Sequence, residues 1–201
     1  MITIINYGLG NIRSFVNLYE RLNIKTKVAN STDDIKSATK IILPGVGAFD
    51  YAMSKLNKSG MREELEKRVL IDKVPVLGIC VGMQILGDRS EEGTMKGLGW
   101  IKGTNKKFKI SEKSILPQMG WNNMDSIKKN KIFTNINESS RFYFLHSYYF
   151  ECENQENELA RTFFEINYTS AINEDNIYGI QFHPEKSHSS GIQLLHNFSK
   201  I

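Results

Sequence analysis

The chain has 201 residues, of which 40% are hydrophobic and 24% charged, and its net charge is +4; these values are typical of a soluble globular protein. No apolar run reaches the roughly 18 residues of a membrane span, and the apolar start lacks the features of a signal peptide. We therefore expect one cytoplasmic domain over residues 1–201, with free cysteines and without membrane or nucleic-acid binding.

The first half alternates apolar strands with helical stretches. The predicted strands are Thr3–Tyr7, Lys25–Ala29, Lys40–Leu43 and Val74–Ile79. The predicted helices are one that begins at an Asn11 cap, then Ser31–Ser37, Ala48–Leu56 and Met61–Ile71. Strands that are apolar on both faces and separated by helices indicate a buried parallel sheet.

The second half has a different pattern. Between residues 99 and 179, short strands rich in aromatic and β-branched residues, such as Arg141–Phe150 and Arg161–Phe164, predict antiparallel additions. A strand at Tyr178–Phe182 and a helix at Ser190–Ser199 close the chain, the helix with Ile192, Leu195, His196 and Phe198 near one face. The predicted fold class is α/β, with a central, mostly parallel sheet flanked by helices and with antiparallel additions in the C-terminal half.

The sharpest motif is Gly78-Ile79-Cys80-Val81-Gly82, where the fourth strand meets a helix. Small residues two before and two after a nucleophile allow the tight turn of a nucleophile elbow. The start of the following helix favours a thiolate through its dipole and its free amides. Cys80 is therefore the candidate nucleophile. The alternative is a buried cysteine that only packs at the end of a strand.

A nucleophilic cysteine needs a base, and the base needs an orienting group. His183 follows the predicted strand Tyr178–Phe182, and Glu185 follows two residues later. Residues i and i+2 of an extended chain point the same way, so we expect Glu185 to lie beside the imidazole and fix its tautomer. The alternative is a histidine at a strand end with a solvated glutamate.

Other patterns predict less chemistry. Gly8-Leu9-Gly10 follows the first strand but lacks the third glycine of the dinucleotide fingerprint, so it predicts a turn. His183, His188 and Cys80 match no zinc spacing, and we expect neither a metal nor a cofactor. Cys152 lies between two glutamates whose charges oppose a thiolate, which predicts an unreactive thiol.

Two segments resemble the triad segments of the class I glutamine amidotransferases, GICVGMQ at Gly78–Gln84 and QFHPEKS at Gln181–Ser187. They stand in the family's order. Together with five further segments, they are similar to the branch of the family that supplies ammonia for imidazole glycerol phosphate synthesis in histidine biosynthesis. This narrower likeness rests on YGLGN at Tyr7–Asn11, PGVGAF at Pro44–Phe49, SEEG at Ser90–Gly93, MGWN at Met119–Asn122 and FLHSYY at Phe144–Tyr149.

The resemblance implies a flavodoxin-like, three-layer fold and a catalytic triad of Cys80, His183 and Glu185. It implies an oxyanion hole at the backbone amides of Val46 and Val81, because a thioester route develops an oxyanion. The glutamine-binding residues that it implies are Gly47, Gln84, Glu92, Ser147 and Tyr148. The partner-interface residues that it implies are Asn11, Met119, Trp121 and Lys186.

The implied reaction is hydrolysis of L-glutamine to L-glutamate and ammonia, with the ammonia passed to a (β/α)8-barrel cyclase in a heterodimer. Two features depart from the branch's pattern. Gln118 stands where the usual segment PHMGWN has histidine, and the tail after the triad reads SHSSG instead of a more acidic run. A related subunit that supplies ammonia for amidating a surface-polysaccharide sugar therefore stays open. The alternatives from other classes are a stand-alone cysteine hydrolase, such as a peptidase or γ-glutamyl hydrolase, and a non-catalytic binding subunit.

Overall fold

The computed structural model describes residues 1–112 and 114–201. The strands are β1 (Ile2–Ile5), β2 (Thr26–Ala29), β3 (Ile41–Gly45), β4 (Val76–Cys80), β5 (Arg89–Ser90), β6 (Gly103–Lys107), β7 (Gln118–Asn123), β8 (Ser126–Ile127), β9 (Arg141–His146), β10 (Tyr148–Cys152), β11 (Glu158–Phe164), β12 (Ile166–Glu174) and β13 (Ile177–Ile180). The α-helices are α1 (Ile12–Arg21), α2 (Thr32–Ile35), α3 (Phe49–Lys58), α4 (Arg62–Glu66), α5 (Val81–Gln84) and α6 (His188–Ser199).

Five parallel strands form one side of the main sheet, in the order β2-β1-β3-β4-β13; four come from the N-terminal half of the chain and β13 from its C-terminal part. Beyond β13 the sheet continues with the antiparallel strands β12, β10 and β6, and β5 pairs with β6 at the edge. β11 and β8 extend from β12, while β7 and β9 form a separate antiparallel pair. The predicted α/β class, with antiparallel additions in the C-terminal half, is confirmed.

Burial of the parallel strands explains the layered packing. Every residue of β1, β3 and β4 is buried, so side chains on both faces of these strands are covered. Successive side chains of a strand point to opposite faces, and full burial therefore requires packing on both sides of the sheet. Helix α1 buries Phe15 and Tyr19, and the Tyr19 hydroxyl donates to the carbonyl of Leu195 in α6.

The predicted strand Arg141–Phe150 is wrong as a single element. The chain breaks at Ser147 into β9 and β10, which belong to different sheets. His146 pairs with Gln118 of β7, whereas Tyr148 pairs with Lys107 of β6. Both halves are rich in strand-forming residues, so composition alone does not reveal the change of partner.

Several helix and strand boundaries also differ from the predicted ones. Asn11 occupies the predicted cap position of α1, but its side chain accepts no hydrogen bond from the helix backbone. The stretch after α4, Lys67–Ile71, is π-helical. Helix α6 begins at His188, and its buried face leaves out Ile192, which is 36% exposed. Within the described residues, no helix combines the length and apolar character that a membrane crossing requires.

Candidate active site

Cys80 lies at a sharp turn between β4 and α5. Its backbone has a φ of 56° and a ψ of −116°, and residues other than glycine rarely adopt such a positive φ. The two neighbouring glycines make this turn possible. A Cβ at Gly78 would lie 2.6 Å from the Gly82 carbonyl oxygen, and one at Gly82 would lie 2.0 Å from the Leu43 carbonyl oxygen. The backbone therefore has the geometry of a nucleophile elbow.

The neighbours of β4 bring distant parts of the sequence to Cys80. Gly45 of β3 pairs with Cys80, so the segment that follows β3 begins beside the thiol. On the other side Ile180 of β13 pairs with Ile79, so the chain that leaves β13 passes Cys80 as well. All three strands are parallel, so their carboxyl ends lie together along one edge of the sheet. This is a different edge from the one formed by strand β5. This edge is where open α/β sheets place their ligands.

His183 and Glu185 are in direct contact at this edge. His183 Nδ1 lies 2.9 Å from Glu185 Oε1, and their side chains are only 5% and 3% exposed. The contact is made through a 3₁₀ turn over Pro184–Lys186, and not through the extended chain expected from the sequence. Pro184 at the start of this turn has a fixed φ that suits it.

The charge state of His183 follows from its surroundings. Burial lowers the pKa of His183, but contacts with Cys80 and Glu185 and the negative charges of both groups raise it to about 10. The backbone of this segment is also held, because the His183 amide donates to the Tyr143 carbonyl at 2.8 Å. An imidazolium is therefore favoured next to the thiol at neutral pH.

A cavity of about 280 Å³ opens at this edge and collects most of the predicted site residues. Glu185 lies behind His183 and does not line it. Leu145, His146 and Pro117 line it in addition. The predicted residues that line it are Val46, Gly47, Cys80, Val81, Gln84, Glu92, Ser147, Tyr148, His183 and Lys186.

Val46 and Val81, the two predicted oxyanion-hole residues, line the cavity together with Cys80. Val81 is the first residue of α5, and the first amides of a helix have no acceptor within the helix. Val46 lies between Gly45 and Gly47, whose φ is +88°. The segment before Val46 is held by Tyr7, whose hydroxyl donates to the Pro44 carbonyl at 2.7 Å. The structure thus brings both predicted oxyanion-hole residues to the side of the cavity where Cys80 lies.

Gln84 anchors the floor of the cavity through its amide nitrogen. Nε2 donates to the Tyr148 carbonyl at 3.1 Å and to Gln181 Oε1 at 3.0 Å. Both of its hydrogens are therefore used. Only Oε1, an acceptor, is left for a ligand.

Glu92 belongs to a loop that is tied to α3. Its Oε2 accepts from the Phe49 amide at the start of α3 at 2.8 Å. Asp50 fixes the same loop, because its carboxylate accepts from the amides of Thr94 at 2.9 Å and Met95 at 3.0 Å. The Phe49 amide thus holds the Glu92 carboxylate at the cavity wall, and Asp50 holds the loop that carries it.

Three of the predicted interface residues lie outside the cavity. Asn11 is exposed at the start of α1, and Met119 and Trp121 are 65% and 38% exposed on β7. Trp121 stacks on His188, with ring centroids 5.0 Å apart and an interplanar angle of 6°. Lys186, which does line the cavity, has its amine 5.5 Å from the centre of the Tyr143 ring.

Two buried residues near the site received no role from the sequence. Gln181 contacts both Gln84 and the Cys80 sulfur. The His146 ring lies 2.8 Å from the Tyr148 carbonyl, and burial, partly offset by this hydrogen bond, lowers the pKa of His146 to about 4. Gln181 belongs to the motif QFHPEKS and His146 to the motif FLHSYY, but the motifs alone do not show where these side chains point.

The departure at Gln118 lies in the interior. Gln118 is buried, and its Oε1 accepts from the Tyr168 hydroxyl at 2.9 Å. The same hydroxyl lies 3.2 Å from His146 Nε2. Gln118 therefore completes a buried hydrogen-bond network beneath the cavity, and its side chain is not on the outer surface of β7.

The other cysteine, Cys152, does not line the cavity. Cys152 has no disulfide, and burial together with the charge of Glu158 raises the pKa of its thiol to about 12. The cause is burial more than the two adjacent glutamates on which the prediction was based. Within residues 1–112 and 114–201, no group of three or more His, Cys, Asp or Glu is placed to hold a metal ion.

The chain is similar to known proteins over its whole length. The profile of the family described as glutamine amidotransferase class-I matches residues 3–201. The imidazole glycerol phosphate synthase subunits HisH of Leptospira interrogans and Bdellovibrio bacteriovorus are 50% and 52% identical to it, with 100% of each chain covered. The crystal structure of a glutamine amidotransferase from Thermotoga maritima has a TM-score of 0.65 at 16% identity, covering 99% of this chain and 82% of that one.

Proposed function

The chain belongs to the class I glutamine amidotransferase family, and on that premise we propose that it is the glutaminase subunit of an imidazole glycerol phosphate synthase. It hydrolyses L-glutamine to L-glutamate and ammonia for histidine biosynthesis. The whole chain, residues 1–201, acts as one glutaminase domain without a cofactor. The observation that carries the proposal is the convergence of Cys80, His183 and Glu185 at one edge of the sheet.

The first chemical step is formation of a thioester. The Cys80 thiolate attacks the side-chain amide carbon of glutamine, and the oxygen of that carbonyl becomes an oxyanion. The amides of Val81 and Val46 stabilise this charge. His183 holds the proton taken from the thiol and delivers it to the departing nitrogen, which leaves as ammonia. Glu185 keeps the imidazole oriented through Nδ1.

The second step hydrolyses the thioester. Water attacks the same carbon, His183 accepts a proton from it, and a second oxyanion forms in the same place. Collapse of this intermediate breaks the carbon–sulfur bond, releases glutamate and returns the thiol. The site therefore uses one base and one pair of amides twice.

The wall of the cavity suits the polar ends of glutamine. Glu92 and the free Oε1 of Gln84 are acceptors for the ammonium group. Gly47, Ser147 and Tyr148 line the same cavity and contribute backbone groups. Because a buried donor or acceptor without a partner is costly, a ligand that lacks the ammonium group or the carboxylate of glutamine will bind more weakly.

Ammonia that escaped to solvent would be lost, so a partner must cap the site. We place this partner, a (β/α)8-barrel cyclase that forms a heterodimer with the chain, on the surface of Asn11, Met119, Trp121 and Lys186. The exposed indole and thioether on β7 are residue types that interfaces favour. Lys186 reaches from this surface to the cavity, which links docking of the partner to the glutamine site.

The test of this function separates the two half-reactions. Cys80→Ala should abolish glutamate release and glutamine-dependent synthesis in the presence of the cyclase and its nucleotide substrate. Synthesis that is supplied with ammonia should continue, because the partner carries it out. Glutamate release that persists in this variant would refute the assignment. Cys152→Ser, which removes the other cysteine, is the matched control and should leave both activities unchanged.

Supply of ammonia for amidating a surface-polysaccharide sugar is a weaker candidate. Of the two departures that raised it, Gln118 faces the interior and is not a contact for a different partner. The other departure remains relevant, because His188 stacks on Trp121 at the proposed interface. Activation by the histidine-pathway cyclase, measured beside a sugar-amidating synthase, discriminates between the two. Steady turnover or peptide cleavage without any partner would instead favour a stand-alone hydrolase.

A further inference from the structure

The Cys80 sulfur receives a hydrogen bond from a side chain that the steps above do not use. Gln181 Nε2 lies 3.9 Å from Cys80 Sγ, with the amide placed to donate. Gln181 directly follows β13, two residues before His183, and its side chain is completely buried. A buried amide donor beside a sulfur stabilises its anionic form, since a hydrogen bond to the charged form favours that form.

A backbone carbonyl determines which way this amide points. The Tyr148 carbonyl can only accept, so the Gln84 atom 3.1 Å from it must be nitrogen. The second hydrogen of that nitrogen goes to the Gln181 oxygen at 3.0 Å. With its oxygen engaged in this way, Gln181 turns its NH2 group toward Cys80. The orientation of both amides thus follows from one acceptor that has no alternative role.

The carbonyl at the start of this chain of hydrogen bonds is itself held in place. His146 Nδ1 lies 2.8 Å from the Tyr148 oxygen, so two donors occupy its two lone pairs. Tyr148 also pairs with Lys107 in the main sheet. The path from the carbonyl through Gln84 and Gln181 to the sulfur is therefore fixed at its far end.

A second contact acts in the opposite sense. The Leu145 carbonyl lies 4.0 Å from Cys80 Sγ and can accept a hydrogen bond from the thiol, which favours the neutral form. Gln181 is the side chain that counters it with a donor. We infer that Gln181, oriented by Gln84, is a hydrogen-bond donor that favours the Cys80 thiolate and fixes the position of its sulfur.

This role connects substrate binding to the nucleophile. Gln84 gives both of its hydrogens to the hydrogen bonds that lead to the sulfur, and it presents its oxygen to the ligand. A single side chain therefore serves both the glutamine site and the thiolate. The importance of Gln181 for turnover rests on the function proposed above, whereas its effect on the sulfur does not.

The experiment measures alkylation of Cys80 by iodoacetamide as a function of pH. A Cys152→Ser background leaves Cys80 as the reacting thiol. In Gln181→Met, which keeps the length of the side chain but removes the donor, alkylation at neutral pH should slow about three- to tenfold and its half-maximal rate should move to higher pH. Gln84→Met should give a smaller change in the same direction, because Gln181 then loses its anchor. Gln193→Met, on α6, is the matched control and should give none.

The outcomes separate this inference from the proposed function. An unchanged alkylation profile in Gln181→Met, with the circular dichroism of the parent chain, overturns the role of Gln181 even if the chain is a glutaminase. If Gln181→Met does not fold, Gln84→Met carries the test, and an unshifted profile there overturns it as well. A shifted profile in a chain that releases no glutamate with the cyclase supports the inference and contradicts the proposed function.

Discussion

Glu185 Oε1 accepts a hydrogen bond from His183 Nδ1 at 2.9 Å, and both side chains are buried. The bond fixes the tautomer in which Nε2 is free to exchange a proton with the thiol. It also places a negative charge where an imidazolium must be stabilised. In the function proposed above, proton transfer depends on this pair.

Replacing Glu185 by glutamine removes this charge and keeps the shape of the side chain. We expect the glutamine-dependent kcat to fall about 10- to 100-fold, with a small change in KM, because general acid–base catalysis loses its orienting group. Glutamate release in the presence of the cyclase measures it. Glu91→Gln removes an exposed carboxylate that bonds to Lys106 and should leave kcat unchanged. Parent-like turnover of Glu185→Gln would show that the pair is not needed.

The stability of the chain should depend on the protonation of His183. Although burial opposes the change, contacts with Cys80 and Glu185 raise the pKa of His183 from 6.5 to about 10 on folding. The folded state thus binds this proton more tightly, so its contribution to stability is complete below pH 6.5 and is lost as the pH rises to about 10. Urea unfolding of the parent chain and of His183→Asn, compared across this range, should show the difference between them shrink. A constant difference would contradict the assignment.

Asp50 should affect glutamine binding without touching glutamine. Its carboxylate holds the amides of Thr94 and Met95 and so steadies the loop that carries Glu92. Loss of these hydrogen bonds in Asp50→Ala should raise the KM for glutamine about three- to tenfold, with little change in kcat. Steady-state kinetics with the cyclase measures both constants. The control is Asp33→Ala, which removes an exposed ion pair with Lys36 and should change neither. An unaltered KM in Asp50→Ala would mean that the loop holds its position alone.

Trp121 should be a major contributor to partner affinity. Truncating a tryptophan at the centre of an interface commonly raises the dissociation constant about 30-fold or more. Titration calorimetry of Trp121→Ala with the cyclase tests this value. Ile71→Ala is the control, because Ile71 is also exposed, at 74%, but lies near the opposite end of β4. Equal affinities of Trp121→Ala and the parent chain would remove Trp121 from the proposed interface.

The nucleophile elbow and the parallel core could be predicted from short stretches of the sequence. The glycines around Cys80 are needed because the backbone atoms of Gly82 and Leu43 occupy the space of a Cβ, and such a need is visible in sequence. Runs of buried apolar residues likewise identified β1, β3 and β4. These features depend on neighbours in the chain or on burial of a whole strand, which one sequence reveals.

Features that depend on pairing between distant segments could not be read in this way. The division of residues 141–150 at Ser147 follows from two partners, β7 and β6, that compete for one apolar stretch. Gln181 approaches Cys80 only because β13 lies next to β4. Glu185 was predicted to contact His183 through an extended chain, and the contact exists, but a turn at Pro184 makes it.

The position of β13 also determines when the enzyme can become active during its synthesis. β4 is synthesised early, but its neighbour β13 and the imidazole of His183 belong to the last part of the chain, from Ile177 onward. Under the proposed function, a nascent polypeptide that ends before this segment lacks the base of its own nucleophile. Under the proposed function an unfinished copy therefore leaves glutamine intact, and the ability to hydrolyse it arises only when the segment from Ile177 onward pairs with β4.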